Sequence, residues 1–174
     1  MDRYVIVNIL SGEALKLHEK IVEDVCFKFN VQRQKLPGHI TLKAPFETNN
    51  IDRIEEVIKA FCNQNSKAPI KIEGINHFRN NVIYMDIHPS REAIKLHENL
   101  YTELKKIDFL EWKPNESKNR TFHSTIVSRR IQKKFDDIWN YVNNYNFSFD
   151  SYIDNITIMK WTNYRWQTYK KFKL

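Results

Sequence analysis

The sequence contains two His-x-Thr segments that agree in residue type and in local setting. They are His39-Ile-Thr-Leu42 and His123-Ser-Thr-Ile126, 84 positions apart, and each lies in a stretch that alternates like a β-strand. An imidazole titrates near neutral pH and can act as a base or an acid. Two of them on opposite sides of a phosphodiester suffice for in-line displacement, because one activates the nucleophile while the other protonates the departing oxygen.

The threonines complete this chemistry. Thr41 and Thr125 lie two residues after the histidines, and residues two apart in a strand point to the same face. Their hydroxyls can therefore donate hydrogen bonds to the non-bridging phosphate oxygens, where charge develops. Such a site needs no metal and no cofactor. The sequence leaves open which histidine is the base and which is the acid.

The two motifs belong to a longer internal repeat. Ser11–Glu19 aligns with Ser90–Glu98 at an offset of 79, with seven of nine positions identical. A period of this length is too long for a solenoid unit and indicates two similar lobes. We therefore expect a single domain, 1–174, made of lobes at approximately 1–80 and 81–174, with the end strands exchanged between them.

The apolar pattern places strands and helices in the same order in both halves. Strands are predicted at 4–10, 39–43, 70–76, 82–88, 121–127, 154–160 and 165–171, and helices at 11–30, 51–63, 90–107 and 134–144. This order predicts an α+β fold in which antiparallel sheets line a cleft and helices cover the outer faces.

The two motifs and their setting resemble the two-histidine (2H) phosphoesterase superfamily, in particular its bacterial 2′-5′ RNA ligase-like and cyclic phosphodiesterase branch. The extension His39-Ile-Thr-Leu-Lys-Ala-Pro-Phe46 and the duplicated lobes carry the resemblance over essentially the whole chain. It implies a bilobal fold with pseudo-two-fold symmetry and both motifs in a central cleft. It also implies hydrolysis or formation of 2′-linked or 2′,3′-cyclic phosphodiesters, with His39 and His123 as the acid/base pair and Thr41 and Thr125 as phosphate ligands.

The chain departs from that family just after its second motif. Many members have a basic residue directly after the aliphatic pair, whereas here Ser128 is followed by Arg129 and Arg130. Strand phase favours Arg129 as the substrate contact, and a turn would present Arg130 instead.

Three further residues are candidates for substrate binding. Lys43 shares the predicted face of His39, and Tyr84 has the phase to line the cleft beside Asp86. Trp166 lies in an aromatic and basic segment that could stack bases, as single-stranded nucleic-acid binders do. A solvated edge lysine explains Lys43 equally well, a half-buried strand tyrosine is the commoner case for Tyr84, and a hairpin packed by its own aromatics explains Trp166 just as well. His18 and His97 lie on apolar helical stripes and are predicted to be packed rather than metal-binding.

The composition indicates which binding partners and which cellular location to expect. The net charge of +7 favours anionic partners, here RNA ends or small cyclic or 2′-linked nucleotides. The three glycines cannot form a Walker or Rossmann loop. Cys26 and Cys62 lack a metal-binding spacing, no apolar run is long enough to span a bilayer, and the N-terminus reads as a strand rather than a signal peptide. We expect a cytoplasmic monomer without membrane association. A non-catalytic RNA-binding module is the alternative to an enzyme.

Overall fold

Two four-stranded antiparallel sheets form the framework of the computed structural model, which describes residues 1–117 and 119–174. The strands are β1 (Asp2–Ile9), β2 (His39–Thr48), β3 (Ala68–Phe78), β4 (Val82–Pro89), β5 (His123–Ser128), β6 (Ser148–Ile153), β7 (Asn155–Thr162) and β8 (Arg165–Lys173). The first sheet has the order β2-β1-β7-β8 and the second the order β5-β4-β3-β6. The predicted α+β class with antiparallel sheets is confirmed.

Helices follow the strands in the same order in both halves. They are α1 (Gly12–Phe29), α2 (Ile51–Gln64), α3 (Arg91–Lys105) and α4 (Phe135–Val142), the last preceded by a 3-10 turn at Gln132–Lys134. The unit β1-α1-β2-α2 is thus repeated as β4-α3-β5-α4. In both sheets the His-x-Thr strand occupies an edge, beside the strand that begins its unit. The repeated structural unit thus corresponds to the internal repeat in the sequence.

The two sheets exchange strands between the halves of the chain. In the first sheet, β7 returns to pair with β1, and β8 pairs with β7. In the second sheet, β3 pairs with β4 and β6. The sheets therefore do not coincide with the ranges 1–80 and 81–174, because β3 crosses to the second sheet before residue 80. Both sheets depend on strands from both halves.

The core lies between the sheets and their covering helices. Residues 4–8 of β1 are buried without interruption, as expected for a strand covered on both faces. α1 contacts β5 and β6, and α3 contacts β2, β3 and β4. Apolar residues at helical spacing make these contacts. The helix α3 also has an N-cap, because the Ser90 hydroxyl accepts a hydrogen bond from the Ala93 N–H at 3.1 Å. No helix within the described ranges is long and apolar enough to cross a membrane.

Two strands differ from the sequence prediction. β2 continues through Pro45 to Thr48, which is possible because β2 is an edge strand and proline lacks only an outward-facing donor. β6 was not predicted at all. Its Ser148, Asp150 and Ser151 are residue types that are uncommon in strands, and its alternation is visible only in the half-buried Phe149 and the buried Ile153.

Candidate active site

The two motif strands meet where the two sheets approach each other. The backbone N–H of His39, at the start of β2, donates to the Ser124 hydroxyl of β5 at 3.1 Å. From the other side, His18 Nε2 on α1 donates to the Thr125 carbonyl at 2.9 Å. These bonds join the first motif, the second motif and the helix of the first repeat. The structure thus brings together the two segments that the sequence paired.

The same local hydrogen bond orients the rings of both motif histidines. His39 Nδ1 lies 2.7 Å from the Pro37 carbonyl oxygen, and His123 Nδ1 lies 2.9 Å from the Thr121 carbonyl oxygen. In each case the partner is the carbonyl two residues earlier. A carbonyl oxygen only accepts, so each Nδ1 carries a proton, and Nε2 of each neutral ring is the nitrogen with a free lone pair. The duplication therefore reproduces both ring orientation and tautomer.

The environment of each ring sets its charge. The pKa of His39 is lowered to about 4, chiefly by burial. The charges of His18, His123 and Arg120 contribute to this lowering, and the Pro37 carbonyl opposes it. Burial also lowers the pKa of His123, assisted by Arg120. Asp86 opposes this lowering, and it lies directly opposite His123 in the β4–β5 pairing. Only His123 has such a carboxylate as its cross-strand partner.

Aromatic rings flank His123. The ring of Phe78 lies 5.0 Å from the imidazole, edge-on at 89°, and the ring of Tyr84 lies 5.1 Å from it. Tyr84 is only 3% exposed, so the predicted contact between this residue and the open cleft is corrected to a contact with the imidazole. The apolar edges restrict the rotation of the ring and contribute to its burial.

The motif threonines keep the predicted positions on their strands. Thr41 pairs with Val7 of β1, and Thr125 pairs with Tyr84 of β4. Both are half-buried, whereas the residue that follows each of them, Leu42 or Ile126, is buried. The apolar side chains therefore face the core, as the strand phase requires, and leave the threonines on the histidine face.

Lys43 is buried in an ion pair and does not contact the open cleft. Its ammonium lies 3.0 Å from Glu116 Oε2, and the two side chains are 1% and 4% exposed. The Glu116 carboxylate also accepts from the backbone N–H groups of Ala44 and Lys113, and the indole of Trp112 lies 4.7 Å from the ammonium. The predicted role of Lys43 as a substrate ligand is corrected accordingly. This lysine anchors the loop between α3 and β5.

That loop carries a residue that sequence reasoning missed. Arg120 is near enough to depress the pKa of both His39 and His123, and burial depresses its own pKa. Within residues 1–117 and 119–174, no hydrogen bond or ion pair occupies its guanidinium donors. The available signal was a basic residue three positions before a motif histidine, but a loop without periodicity gives no prediction of where such a side chain lies.

The remaining candidates separate into two groups. Arg129 and Trp166 line a pocket that extends from the motif strands, and Arg130 is exposed. Arg129 and Arg130 both have positive φ, 65° and 54°, so a tight turn follows β5. Of the two alternatives left open by the sequence, Arg129 is the residue that lines the pocket.

The helical histidines are packed, as predicted. His18 and His97 are each 3% exposed, and His97 packs edge-on against Phe122 at 5.4 Å. In the part of the chain that the structure describes, no group of three or more His, Cys, Asp or Glu residues is arranged to hold a metal ion.

Comparison with known proteins identifies related sequences along most of the chain. A sequence profile of the 2′-5′ RNA ligase superfamily matches residues 12–165. A Bacillus licheniformis protein named as a candidate phosphoesterase is 28% identical over 145 residues, covering 80% of this chain and 81% of that protein. A Staphylococcus aureus (strain Newman) protein with the same designation is 24% identical over 166 residues, covering 91% and 94%. A Bacillus pumilus relative is 33% identical, over 39% of this chain and 42% of its own.

Solved structures show the same fold at low sequence identity. A Thermus thermophilus protein superposes with a TM-score of 0.64 at 13% identity, covering 99% of this chain and 97% of its own. Escherichia coli LigT, crystallised with 3′-AMP, gives a TM-score of 0.58 at 14% identity with the same coverage. The paired sheets and their connections are therefore shared with these proteins.

Proposed function

Because this chain belongs to the 2′-5′ RNA ligase superfamily, that is, to the two-histidine phosphoesterases, we propose that it is a metal-independent phosphoesterase acting on 2′,3′-cyclic or 2′-linked phosphodiesters of RNA or nucleotides. The observation that carries the proposal is the matched pair of Nδ1-to-carbonyl bonds, which leaves Nε2 of His39 and His123 for the substrate. Two equivalent rings on linked strands suit a reaction in which one group removes a proton from the nucleophile and another protonates the leaving oxygen.

The reaction that fits this site is opening of a cyclic phosphate by water. Nε2 of one histidine takes a proton from the attacking water as its oxygen bonds to phosphorus. The bond from phosphorus to the departing ribose oxygen breaks, and the second histidine protonates that oxygen. The Thr41 and Thr125 hydroxyls and the Arg120 guanidinium donate to the non-bridging oxygens, where charge builds up. When a ribose 5′-hydroxyl attacks in place of water, the same proton transfers break the bond from phosphorus to the 3′-oxygen and leave a 2′-5′-linked diester.

We assign the base role to His39 and the acid role to His123. An acid must hold a proton before it donates one, and Asp86 opposite His123 favours the imidazolium. His39, with its pKa lowered to about 4 by burial, is neutral across the physiological range and is ready to accept. A bound phosphate adds negative charge beside both rings, which further favours protonation of His123.

The test uses a short RNA ending in 2′,3′-cyclic phosphate, incubated with metal-free protein in the presence of a chelator. Wild type is expected to open the ring to one phosphate isomer, and His39→Ala and His123→Ala are each expected to lose at least about 100-fold in rate. Products are resolved by phosphorus NMR, and folding of each variant is checked by circular dichroism. Retention of wild-type rate by either folded variant would exclude the two-histidine mechanism.

A second substrate separates the two roles. A nucleoside phosphodiester with a 4-nitrophenolate leaving group needs little protonation of the departing oxygen. His123→Ala is therefore expected to recover much of its rate on this substrate, whereas His39→Ala is not. The opposite pattern would reverse the assignment. Binding of RNA without turnover of any cyclic or 2′-linked phosphate would instead favour a non-catalytic RNA-binding module.

We further propose that the protein is a monomer and that it acts in the cytoplasm on RNA ends or small nucleotides. The basic composition supports an anionic substrate, and the paired site is complete within one chain. Light scattering during size exclusion, at the concentration used for kinetics, tests the monomer directly.

A further inference from the structure

A pocket of about 420 Å³ opens beside the motif strands, and its chemistry is unlike that of the histidine site. Its lining combines the ends of both motif strands with the segment 32–36 and with β1, β7 and β8. The lining residues are Arg3, Gln32, Arg33, Gln34, Lys35, Leu36, Pro45, Ser128, Arg129, Trp161 and Trp166. Four cations and two indoles occur in this set, and no carboxylate does. The volume is in the range of pockets that bind one small organic ligand.

The two tryptophans form the pocket's aromatic wall. Trp161 and Trp166 are cross-strand partners in the β7–β8 hairpin, with ring centroids 5.3 Å apart at 69°. Both are half-buried rather than sealed in the core. Lys35 places its ammonium 5.0 Å from the Trp161 ring, and Arg3 places its guanidinium 5.8 Å from the Trp166 ring. Each indole thus has an exposed cation beside it that a planar ligand could displace or join.

The charge of the pocket is largely uncompensated. Arg33 is paired with Glu19, but within residues 1–117 and 119–174 no ion pair involves Arg3, Lys35 or Arg129. These three side chains are exposed at the rim. An aromatic wall under a rim of unpaired cations matches a ligand that carries both flat rings and phosphates.

The pocket is continuous with the catalytic strands. Pro45 lies four residues after Thr41 along β2, and Ser128 lies three residues after Thr125 at the end of β5. At about 3.3 Å per residue, these positions are roughly 13 Å and 10 Å from the threonines. A chain that continues beyond the reactive phosphate can therefore reach the pocket, while its terminal phosphate stays between the histidines.

We propose that this pocket binds a nucleotide of single-stranded RNA on the 5′ side of the reactive terminal phosphate, with a base stacked on Trp161 and phosphates held by Arg3, Lys35 and Arg129. The expected effect of the pocket on turnover rests on the proposed function, whereas the binding of RNA in the pocket does not. It identifies the preferred substrate as an oligonucleotide end rather than a free cyclic mononucleotide.

The experiment measures binding and turnover separately. Binding uses a single-stranded oligoribonucleotide ending in 3′-phosphate, followed by intrinsic tryptophan fluorescence and by calorimetry at several salt concentrations. Turnover compares kcat/KM for the corresponding 2′,3′-cyclic oligonucleotide and for a 2′,3′-cyclic mononucleotide. The variants are Trp161→Ala and the double substitution Arg3→Gln with Lys35→Gln. The matched control, Lys20→Gln with Lys59→Gln, removes two exposed charges from α1 and α2.

Trp161→Ala is expected to weaken oligonucleotide binding by about 5- to 150-fold, the usual effect of losing one stacked base. The Arg3/Lys35 double variant is expected to reduce the slope of log affinity against log salt by about 1.4, or 0.7 for each lost phosphate contact. In both variants the ratio of oligonucleotide to mononucleotide kcat/KM falls, and in the control both readouts stay at the wild-type value. The double variant keeps the test valid if Trp161→Ala fails to fold.

Three outcomes would overturn the inference. They are equal kcat/KM for the two substrates in wild type, oligonucleotide binding that none of the pocket variants changes, and equally tight binding of a polyglutamate of matched charge. If instead neither substrate is turned over while RNA binding depends on Trp161 and the cations, the proposed enzymatic function fails and the binding site stands.

Discussion

At the scale of single residues, the two motif imidazoles share a hydrogen-bonding scheme but differ in their surroundings. Each donates its Nδ1 proton to a carbonyl two residues back, so both present Nε2. Of the two imidazoles, that of His123 has Asp86 as its cross-strand partner, and this carboxylate also contacts Asn76 and His88. Burial brings the pKa of His39 to about 4. The two rings thus have equivalent hydrogen bonds, and the proposed division into base and acid rests on the side chains around them.

Arg120 acts on both rings, which makes it the residue whose replacement is most informative. Arg120→Gln is expected to reduce kcat by about 100-fold, because a charged donor to the phosphate oxygens is lost. Removing the cation also raises the pKa of His39 and of His123, since an imidazolium is no longer repelled. In wild type, kcat/KM should rise with a pKa of about 4, that of His39, and fall with the pKa of His123, which burial lowers from its usual value. In Arg120→Gln, both the rise and the fall of kcat/KM move to higher pH.

Proton NMR titration of the histidine ring protons measures these shifts independently of turnover. Arg91→Gln, an exposed arginine at the start of α3, is the control for loss of one positive charge. If Arg120→Gln leaves both histidine titrations at their wild-type positions, the guanidinium does not lie in the phosphate site. Arg120→Lys should restore the titrations more fully than kcat, because a lysine replaces the charge without the fork of donors.

At the scale of elements, the loop between α3 and β5 carries Glu116 and Arg120 to positions that its sequence does not reveal. Periodicity and the repeat of Ser11–Glu19 in Ser90–Glu98 predicted the helices and the motif strands, since each side chain's direction there follows from a regular backbone. Loop 106–122 has no such regularity. Strand phase predicted Lys43 on the histidine face, but a register shift in the β1–β2 pairing lies between Thr41 and Lys43. The sequence also could not show that Glu116 would pair with this lysine, or that Arg120 would lie near both histidines.

The ion pair beneath this loop should contribute strongly to stability. Burial alone would raise the pKa of Glu116, yet hydrogen bonds from Lys113 and Lys43 hold it below its usual value. Glu116→Gln would leave the Lys43 ammonium buried without a counter-charge. We expect a loss of about 3–5 kcal/mol in the free energy of unfolding, measured by urea titration.

The control is Glu56→Gln, which breaks the exposed Arg53–Glu56 pair of α2, in which the side chains are 59% and 68% exposed. That change should cost less than about 1 kcal/mol. Similar losses in the two variants would mean that the buried pair is not a specific anchor. If the anchor positions Arg120, Glu116→Gln also lowers kcat at temperatures where the variant remains fully folded.

At the scale of the whole molecule, the exchange of strands makes the two lobes mutually dependent. The first sheet is incomplete without β7 and β8 from the end of the chain, and the second needs β3 from the first half. Asn155 at the start of β7 bonds both the N–H and the carbonyl of Ile9, which closes the joint between β1 and the chain's last strands. Neither half can bury its apolar face alone.

The duplication is therefore expected to unfold as one unit rather than as two lobes. Far-ultraviolet circular dichroism and tryptophan fluorescence should give coincident transitions, with equal calorimetric and van't Hoff enthalpies. Ser124→Ala tests the joint at the active site, because it leaves the buried N–H of His39 without its acceptor and should cost about 1–3 kcal/mol. Ser66→Ala, at an exposed position between α2 and β3, is the control. A second transition, in wild type or in Ser124→Ala, would show that the lobes are separable and that the paired site can open by their moving apart.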